Sequence, residues 1–472
     1  MRLPLRKVTR PPFQGCVVVL LFLLAFGLRL HNYWIIPLSD ETADEIAWTW
    51  LGSSLLKDHA PSSWSYYGEY QPDHIFQEGP LDAPIVRPAV DHPPLFSLLP
   101  GSIHALTSEN WAVIPSRKII RLPMVFLGTL NVILLYFVAK KVLKEWWPVV
   151  VTAVYGTAPL FVFASRLVVA ENLIVTWSLL VVLVLAQVLE SKKSSTARRW
   201  EVALIVLSVA AAMSKISGFV VPLSLIIFAV AVKDKRLIKV GCGAIVAAIG
   251  VLIGYMSLFN LPLFLAIQQA QSGRELGLIT LYQRFFVHPV VAELVYFDGW
   301  LVLGFISLVT ALADFSQQQA AKVSKVWHFI VLVLVLNLGF MLVTAGQYSY
   351  HGWYSYALFP FFALTITQLF KKAWEGASYL FGLVWILWLP TLALALSYAS
   401  VLPGLSNLTL RASYGVGFLP VLFGYAQQEK YRRLAMVILL CCIFIFNCVV
   451  VVKISEVALR AQHDAFFFYL QQ

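Results

Sequence analysis

The sequence predicts an all-α protein that crosses a membrane many times, through about thirteen helices. Three observations carry this reading. First, 60% of the 472 residues are hydrophobic and 12% are charged, against about 25% charged in an ordinary soluble domain. Second, apolar runs recur at the length a helix needs to cross about 30 Å of hydrocarbon, not as the short alternating strands of a barrel. Third, basic residues are concentrated in every second loop.

In chain order, the spans fall at roughly 15–31, 119–139, 148–165, 173–190, 200–214, 217–232, 237–258, 297–313, 327–345, 356–370, 376–395, 411–426 and 434–452. The first follows Arg2, Arg6, Lys7 and Arg10, as a signal peptide would, but no small-residue cleavage site follows it, so it reads as a retained span. The runs at 200–214 and 217–232 are short for two full crossings. Alternation puts the N-terminus and the loops near 140–147, 191–201, 233–239, 314–326, 371–375 and 427–433 on one side. They hold 22 of the 35 Lys and Arg residues and seven of the 24 acids, Glu190 at a span end included. The positive-inside rule makes that side cytoplasmic and the protein a multi-pass plasma-membrane protein. It also accounts for the net charge of +11 without any nucleic-acid partner. The expected organisation is one transmembrane domain, 1–452, and a short outer tail, 453–472. The five cysteines lie in or beside apolar runs with no metal-ligand spacing to histidines, so no disulfide or zinc framework is expected.

The other side carries the long loops and most carboxylates. The first outer loop, 32–118, holds ten acids between Asp40 and Asp91 and is rich in Trp, Tyr and Pro, which suits a structured loop hugging the membrane. Four of its acids, Asp40, Glu41, Asp44 and Glu45, fall within six residues at the mouth of the first span. Carboxylates beside hydrocarbon are costly unless solvated or paired. From Glu41 the spacing predicts an amphipathic helix with Ile46, Trp50, Leu51 and Leu55 on one face, and Asp44 and Glu45 in its first turn. Two readings stand: a helix cap with solvated acids, or a catalytic carboxylate held at the membrane surface. Further on, His92-Pro93-Pro94-Leu95 opens a Pro-bounded apolar stretch, 95–106, expected to lie as a juxtamembrane helix in the outer interface.

The remaining outer loops supply scattered charges. Arg166 and Glu171 lie five apart at a helix mouth, Lys215 sits in a short turn, and the loop at 259–296 carries Arg274, Glu275, Arg284, His288 and Glu293. Each fits an ordinary interfacial charge as well as a ligand contact. The stretch GQYSYHGWYSYALFP, 346–360, with His351 and Tyr354, reads as an aromatic interface belt or as a surface for stacking on a sugar ring. The chain has no Walker loop, no GxGxxG after a strand, no HExxH, no GxSxG setting and no EF-hand. An activated substrate would therefore arrive through the membrane and not as a cytosolic nucleotide.

An ordered series of motifs carries a resemblance. Pro37-Leu38, Asp44-Glu45, Gly52 and Leu55-Leu56 come first, then His92-Pro93-Pro94-Leu95. Arg121-Leu122-Pro123, Gly128, Leu134-Leu135-Tyr136 and Lys140-Lys141 follow, then Ser165-Arg166 and Glu171-Asn172. Over about residues 15–190 the chain resembles the protein O-mannosyltransferase and lipid A aminoarabinose transferase superfamily, membrane glycosyltransferases of the GT-C fold. The resemblance implies a polyprenyl-phosphate sugar as donor, of the dolichyl- or undecaprenyl-phosphate-mannose type. It also implies inverting transfer, on the outer face, to a hydroxyl of a protein, lipid or glycan. It makes Asp44 the catalytic base, with Glu45 beside it tuning its pKa or holding a metal, and puts the family's second acid on Glu171, where an Asp is usual. Asp40-Glu41 is a competing acidic pair, although Gly52 and Leu55-Leu56 follow Asp44 at the family spacing. A base must take the acceptor's proton while the sugar–phosphate bond breaks, and cations must stabilise the leaving phosphate. Arg166, Lys215, Arg274 and His351 are the outer-side candidates, Arg166 pairing with Glu171 or facing phosphate. His92 would anchor the loop under the sugar or simply start a helix, and Tyr354 would meet substrate. A divalent metal could bridge Glu45 or Glu171 to phosphate, although no spacing demands one. Membrane lipids are the other expected partners. The alternative class is a lipid or small-molecule transporter or flippase. That class places ionisable groups near the midplane on broken helices of two repeated halves, whereas these acids gather at one surface.

Overall fold

The computed structural model describes residues 12–37, 43–78, 81–191, 194–287, 299–316, 324–346, 351–376 and 429–470, with isolated positions 408, 412 and 415. Asp40, Glu41, His288 and Glu293 lie outside these residues. The chain folds as a polytopic helical bundle with a small cap built from the first long loop.

The first helix, α1 (Pro12–Leu30), is followed by α2 (Ala43–Lys57), the helix expected after the acidic cluster. Its expected amphipathicity is not observed: Trp48 through Ser54 are all buried, so α2 is enclosed on every side. The reason is its neighbour α3 (Leu98–Thr107), the expected juxtamembrane helix, which crosses α2 at backbone contact. A methyl group on Gly52 would lie 1.8 Å from the Ser97 carbonyl oxygen, and one on Gly101 2.5 Å from the Gly52 carbonyl carbon. Only glycine allows that approach. The all-α expectation also misses a three-stranded antiparallel sheet in this loop. It comprises β1 (Ser63–Trp64), β2 (His74–Glu78) and β3 (Leu81–Val86), ordered β1-β3-β2, with Trp64 and His74 both opposite Ile85. The sheet and α2 share a core of Trp48, Leu51, Tyr70, Val86, Val90 and Phe96 that also takes in bundle residues such as Met124 and Leu173, beside the larger core of the bundle.

The bundle begins with α4 (Arg117–Ile120) and α5 (Leu122–Val142), where Pro123 at the helix start removes an N–H that needs no partner. It continues through α6 (Trp147–Thr157), α7 (Pro159–Ala164), α8 (Glu171–Glu190) and α9 (Ser194–Ser214). A short 3₁₀ turn, Ile216–Phe219, leads into α10 (Val220–Ala231), α11 (Lys235–Phe259), α12 (Leu261–Ser272) and α13 (Leu278–Tyr282). After α14 (Gly299–Ser316) and α15 (Lys325–Val343), a second 3₁₀ segment, Gly352–Leu358, enters α16 (Phe359–Glu375). The last described helix, α17 (Glu429–Leu470), is 42 residues long. The expected tail from residue 453 is thus a continuation of this helix.

Eleven of the thirteen expected spans coincide with helices; those at 376–395 and 411–426 lie almost wholly outside the described residues. By length and composition, five described helices can cross a membrane: Arg117–Val142, Glu171–Glu190, Lys235–Phe259, Lys325–Val343 and Glu429–Glu456. Gln14–Leu30, Ile216–Ala231 and Gly299–Asp314 are shorter apolar helices. The loops expected to share one side do meet at one end of the bundle. Gln14 donates to the Glu145 carbonyl (3.2 Å), Lys141 pairs with Glu190 (3.0 Å), and Lys372 pairs with Asp314 (2.5 Å). Arg236 pairs with Glu201, while Trp374 packs on Trp146 (5.3 Å) under the Arg433 guanidinium (5.2 Å).

Candidate functional site

At the opposite end, the cap and the bundle enclose a cavity of about 310 Å³. Six of the nine residues expected at a site line it: Asp44, His92, Lys215, Arg274, His351 and Tyr354. They come from five separate parts of the chain.

Asp44 stands in the first turn of α2, one turn before Trp48. Trp48 stacks on His92 (4.5 Å between rings, 23° apart), which fixes the His92 imidazole against the cavity wall. Burial pushes the Asp44 carboxyl above its ordinary pKa. Lys215 and His92 pull it back, and Glu171 and Asp91 push it further. β1 and the residues after it bring Ser63, Trp64, Ser65, Tyr66 and Tyr67 to the wall.

Lys215 lies in the turn between α9 and the first 3₁₀ segment, opposite the start of α8. Its Nζ donates to Glu171 Oε1 at 2.6 Å. Glu171 is buried in the first turn of α8, where the helix dipole favours a carboxylate. Burial works against the Lys215 charge, but Glu171, Tyr354 and Asp44 more than offset it, and its pKa is raised. Tyr354 is held between two cations, Lys215 at 4.6 Å and Arg284 at 4.5 Å from its ring centroid. Arg274, just after α12, donates to the Tyr67 hydroxyl (2.7 Å) and lies over the same ring (5.4 Å). His351 stacks on Trp353 (4.0 Å) at the head of the second 3₁₀ segment. One of Glu171's oxygens, Oε2, is buried and has no hydrogen-bond partner among the described residues.

Two expected roles do not fit the geometry. Glu45 does not face the cavity: it is 1% exposed and clamped by Arg121, whose Nε donates to Oε1 (2.8 Å) and Nη2 to Oε2 (2.7 Å). The Val168 N–H adds a further bond, at 3.0 Å. Successive helical residues point about 100° apart, so Asp44 faces the cavity while its neighbour faces the bundle. Nor does Arg166 meet Glu171, which belongs to Lys215. Fully buried, it donates to the carbonyls of Leu28 (2.5 Å) and Ile36 (3.4 Å) and to Ser455 Oγ (3.3 Å). It ties the end of α1 to α17, satisfying a carbonyl that a helix end leaves open.

The expected metal ligands do not make a donor set. Glu45 and Glu171 are each committed to a cation, and among the described residues no group of three or more His, Cys, Asp or Glu is placed to hold a metal ion. Sequence reasoning missed Asp91 as a site residue. It lines the cavity at 8% exposure, within 3.5 Å of Ser65 Oγ, and has no ion-pair partner among the described residues. Its position directly before His92 was the available signal. Tyr67 and Arg284 were equally unassigned.

This is the GT-C fold of membrane glycosyltransferases. Over 95% of its length the chain superposes on 78% of ArnT from Cupriavidus metallidurans bound to undecaprenyl phosphate, with a TM-score of 0.59 and 12% identity. The apo state of the same ArnT gives 0.54 and 13% identity, over 95% of this chain and 77% of that one. The archaeal oligosaccharyltransferase AglB from Archaeoglobus fulgidus, in complex with an inhibitory peptide and a dolichol-phosphate, gives 0.53 and 12% identity. That match takes in 94% of this chain but only 56% of AglB. In sequence, residues 91–258, about a third of the chain, match the family described as dolichyl-phosphate-mannose-protein mannosyltransferase. No curated protein matches the chain.

Proposed function

We propose that this chain is a membrane glycosyltransferase that moves a sugar from a polyprenyl-phosphate carrier to an acceptor hydroxyl. One observation carries the reading: a carboxylate, Asp44, shares a single cavity with the cations Lys215 and Arg274. That pairing serves both halves of the reaction. Asp44 takes the proton from the acceptor hydroxyl as the oxygen attacks the anomeric carbon. The carbon–oxygen bond to phosphate breaks, its electron pair leaves with the phosphate, and Lys215 and Arg274 stabilise the growing anion. Attack from the side opposite the leaving group inverts the anomeric centre. Glu171 holds Lys215 in place and keeps Oε2 for a hydroxyl of the ligand. Trp48 and His92 give the sugar rigid faces.

The family match over 91–258 supports a mannosyl-type donor, and the ligands bound to ArnT and AglB support a polyprenyl phosphate. The clustering of basic loops at the far end supports a cytoplasmic N-terminus and an active site on the outer face. The acceptor is a hydroxyl of a protein, lipid or glycan. The test is incubation of the purified chain with radiolabelled polyprenyl-phosphate sugars and a cell-envelope extract. Label should move to an acceptor, mannose being tried first. Absence of transfer from every donor, or undiminished transfer by Asp44→Asn, would end the proposal.

A further inference from the structure

At the basic end of the bundle, away from the candidate site, a groove of about 500 Å³ opens between α5, α8 and α9. Phe137, Leu183, Val184 and Trp200 form its apolar walls, Gln187 its polar side, and Lys140 and Lys141 its rim. Leu183 lies two helical turns before Glu190, so the groove extends about 10 Å from the rim into the bundle. Its polarity is therefore graded, with cations at the mouth and hydrocarbon within.

The rim cations are already positioned. The Lys140 ammonium lies 5.5 Å from the Tyr136 ring centroid and 5.9 Å from that of Phe137. Lys141 Nζ donates to both Glu190 oxygens, at 3.1 and 3.0 Å. An ammonium carries three hydrogens, so one remains for a further acceptor. Lys144, Arg198 and Arg199 stand in the adjoining segments and add to the positive field. That field disfavours the chain's own N-terminal residues as occupant, since they carry Arg2, Arg6, Lys7 and Arg10. An apolar slot with a cationic mouth, opening at the level where headgroups lie, matches an amphiphile with an anionic head.

We propose that this groove binds an anionic glycerophospholipid of the leaflet at the basic end. One acyl chain lies between Leu183, Val184 and Trp200, and the phosphate rests on Lys140 and Lys141. The site is separate from the candidate active site and stands whatever reaction that site performs.

The test uses the full chain purified in detergent, partly delipidated, and offered phosphatidylglycerol or phosphatidylcholine in native mass spectrometry. Phosphatidylglycerol should be retained at least fivefold over phosphatidylcholine. Lys140→Gln with Lys141→Gln should abolish the preference, the double Arg variant should keep it, and Lys144→Gln, which removes a charge of the surrounding field but lies outside the groove, should leave most of it. Phosphatidylglycerol with brominated chains should quench wild-type tryptophan fluorescence more than that of Trp200→Phe. Equal retention of the two lipids, or an unchanged preference in the double Gln variant, overturns the proposal. Should that variant fail to fold, Leu183→Trp fills the groove without altering charge. Retention at the wild-type level in that variant overturns the proposal equally.

Discussion

Adjacent acids in one helix turn have opposite expected phenotypes. Asp44→Asn keeps the shape but cannot accept a proton, so turnover should fall by roughly 10²–10⁴, the range for loss of a general base. Donor binding, measured directly, should survive. The folded-state pKa of Asp44 is raised, so the ionised side chain opposes folding at pH values above it, and Asp44→Asn should leave the melting temperature unchanged or higher. For the same reason, wild-type kcat/KM should fall as pH drops through an acid limb centred above about 3.9, the value for a free aspartate. An acid limb at or below that value would remove Asp44 from the role. Asp91 offers a carboxylate with no cation within ion-pair reach among the described residues. Asp91→Asn should raise KM roughly 10- to 100-fold with kcat nearly kept, the loss expected for a hydrogen bond to a charged group of about 1.5–3 kcal/mol. A collapse of kcat instead would place Asp91 in the chemistry.

Among the elements, α2 and the second 3₁₀ segment set the site. α2 is fixed at its start by the Glu45–Arg121 pair and along its length by contact with α3. Removing one partner of a buried ion pair leaves an uncompensated charge, and Glu45→Gln should destabilise the protein by roughly 3–5 kcal/mol. Thermal unfolding in detergent would show it, with the catalytic pH profile of the surviving fraction unchanged. In the 3₁₀ segment, Tyr354 spaces Lys215 from Arg284. Tyr354→Phe keeps the ring and should retain donor affinity, while Tyr354→Ala should weaken it by the roughly 0.5–2 kcal/mol of a cation–π contact. Equal losses in both variants would assign the effect to the hydroxyl.

For the whole molecule, sidedness is the property to measure. In a cysteine-free background, Gly68→Cys should react with an impermeant reagent in intact cells and Lys144→Cys should not; the reverse result would invert the assignment. Much of this architecture was legible because apolar run length reports directly on the helices that build the bundle, and loop charge on the loops that gather at one end of it. The three short strands were not legible, since β1 of two residues exists only through its partner far along the chain. The amphipathic reading of α2 failed for a related reason: a helix under a cap has no solvent face to mark. At the site, the loop charges singled out in the sequence include Lys215, Arg274 and His351, which line one cavity. Charge alone could not say which partner each would find. Arg166 and Glu45 looked like ligand contacts because a sequence displays a charge without displaying the carbonyl or guanidinium that consumes it.

The clamp on Glu45 also governs how still its neighbour can be. Hydrogen bonds from Arg121 and Val168 tie Glu45 down, so Asp44 should move with the bundle and not with the long loop that contains it. Reactive groups must be held within about 0.5 Å of their working geometry. Under the proposed function, the restraint on Asp44 is in place before any ligand arrives, and binding need not first quiet a wandering side chain. Amides of the first turns of α2 should then exchange with deuterium as slowly as those of α5, in the empty protein as in the loaded one.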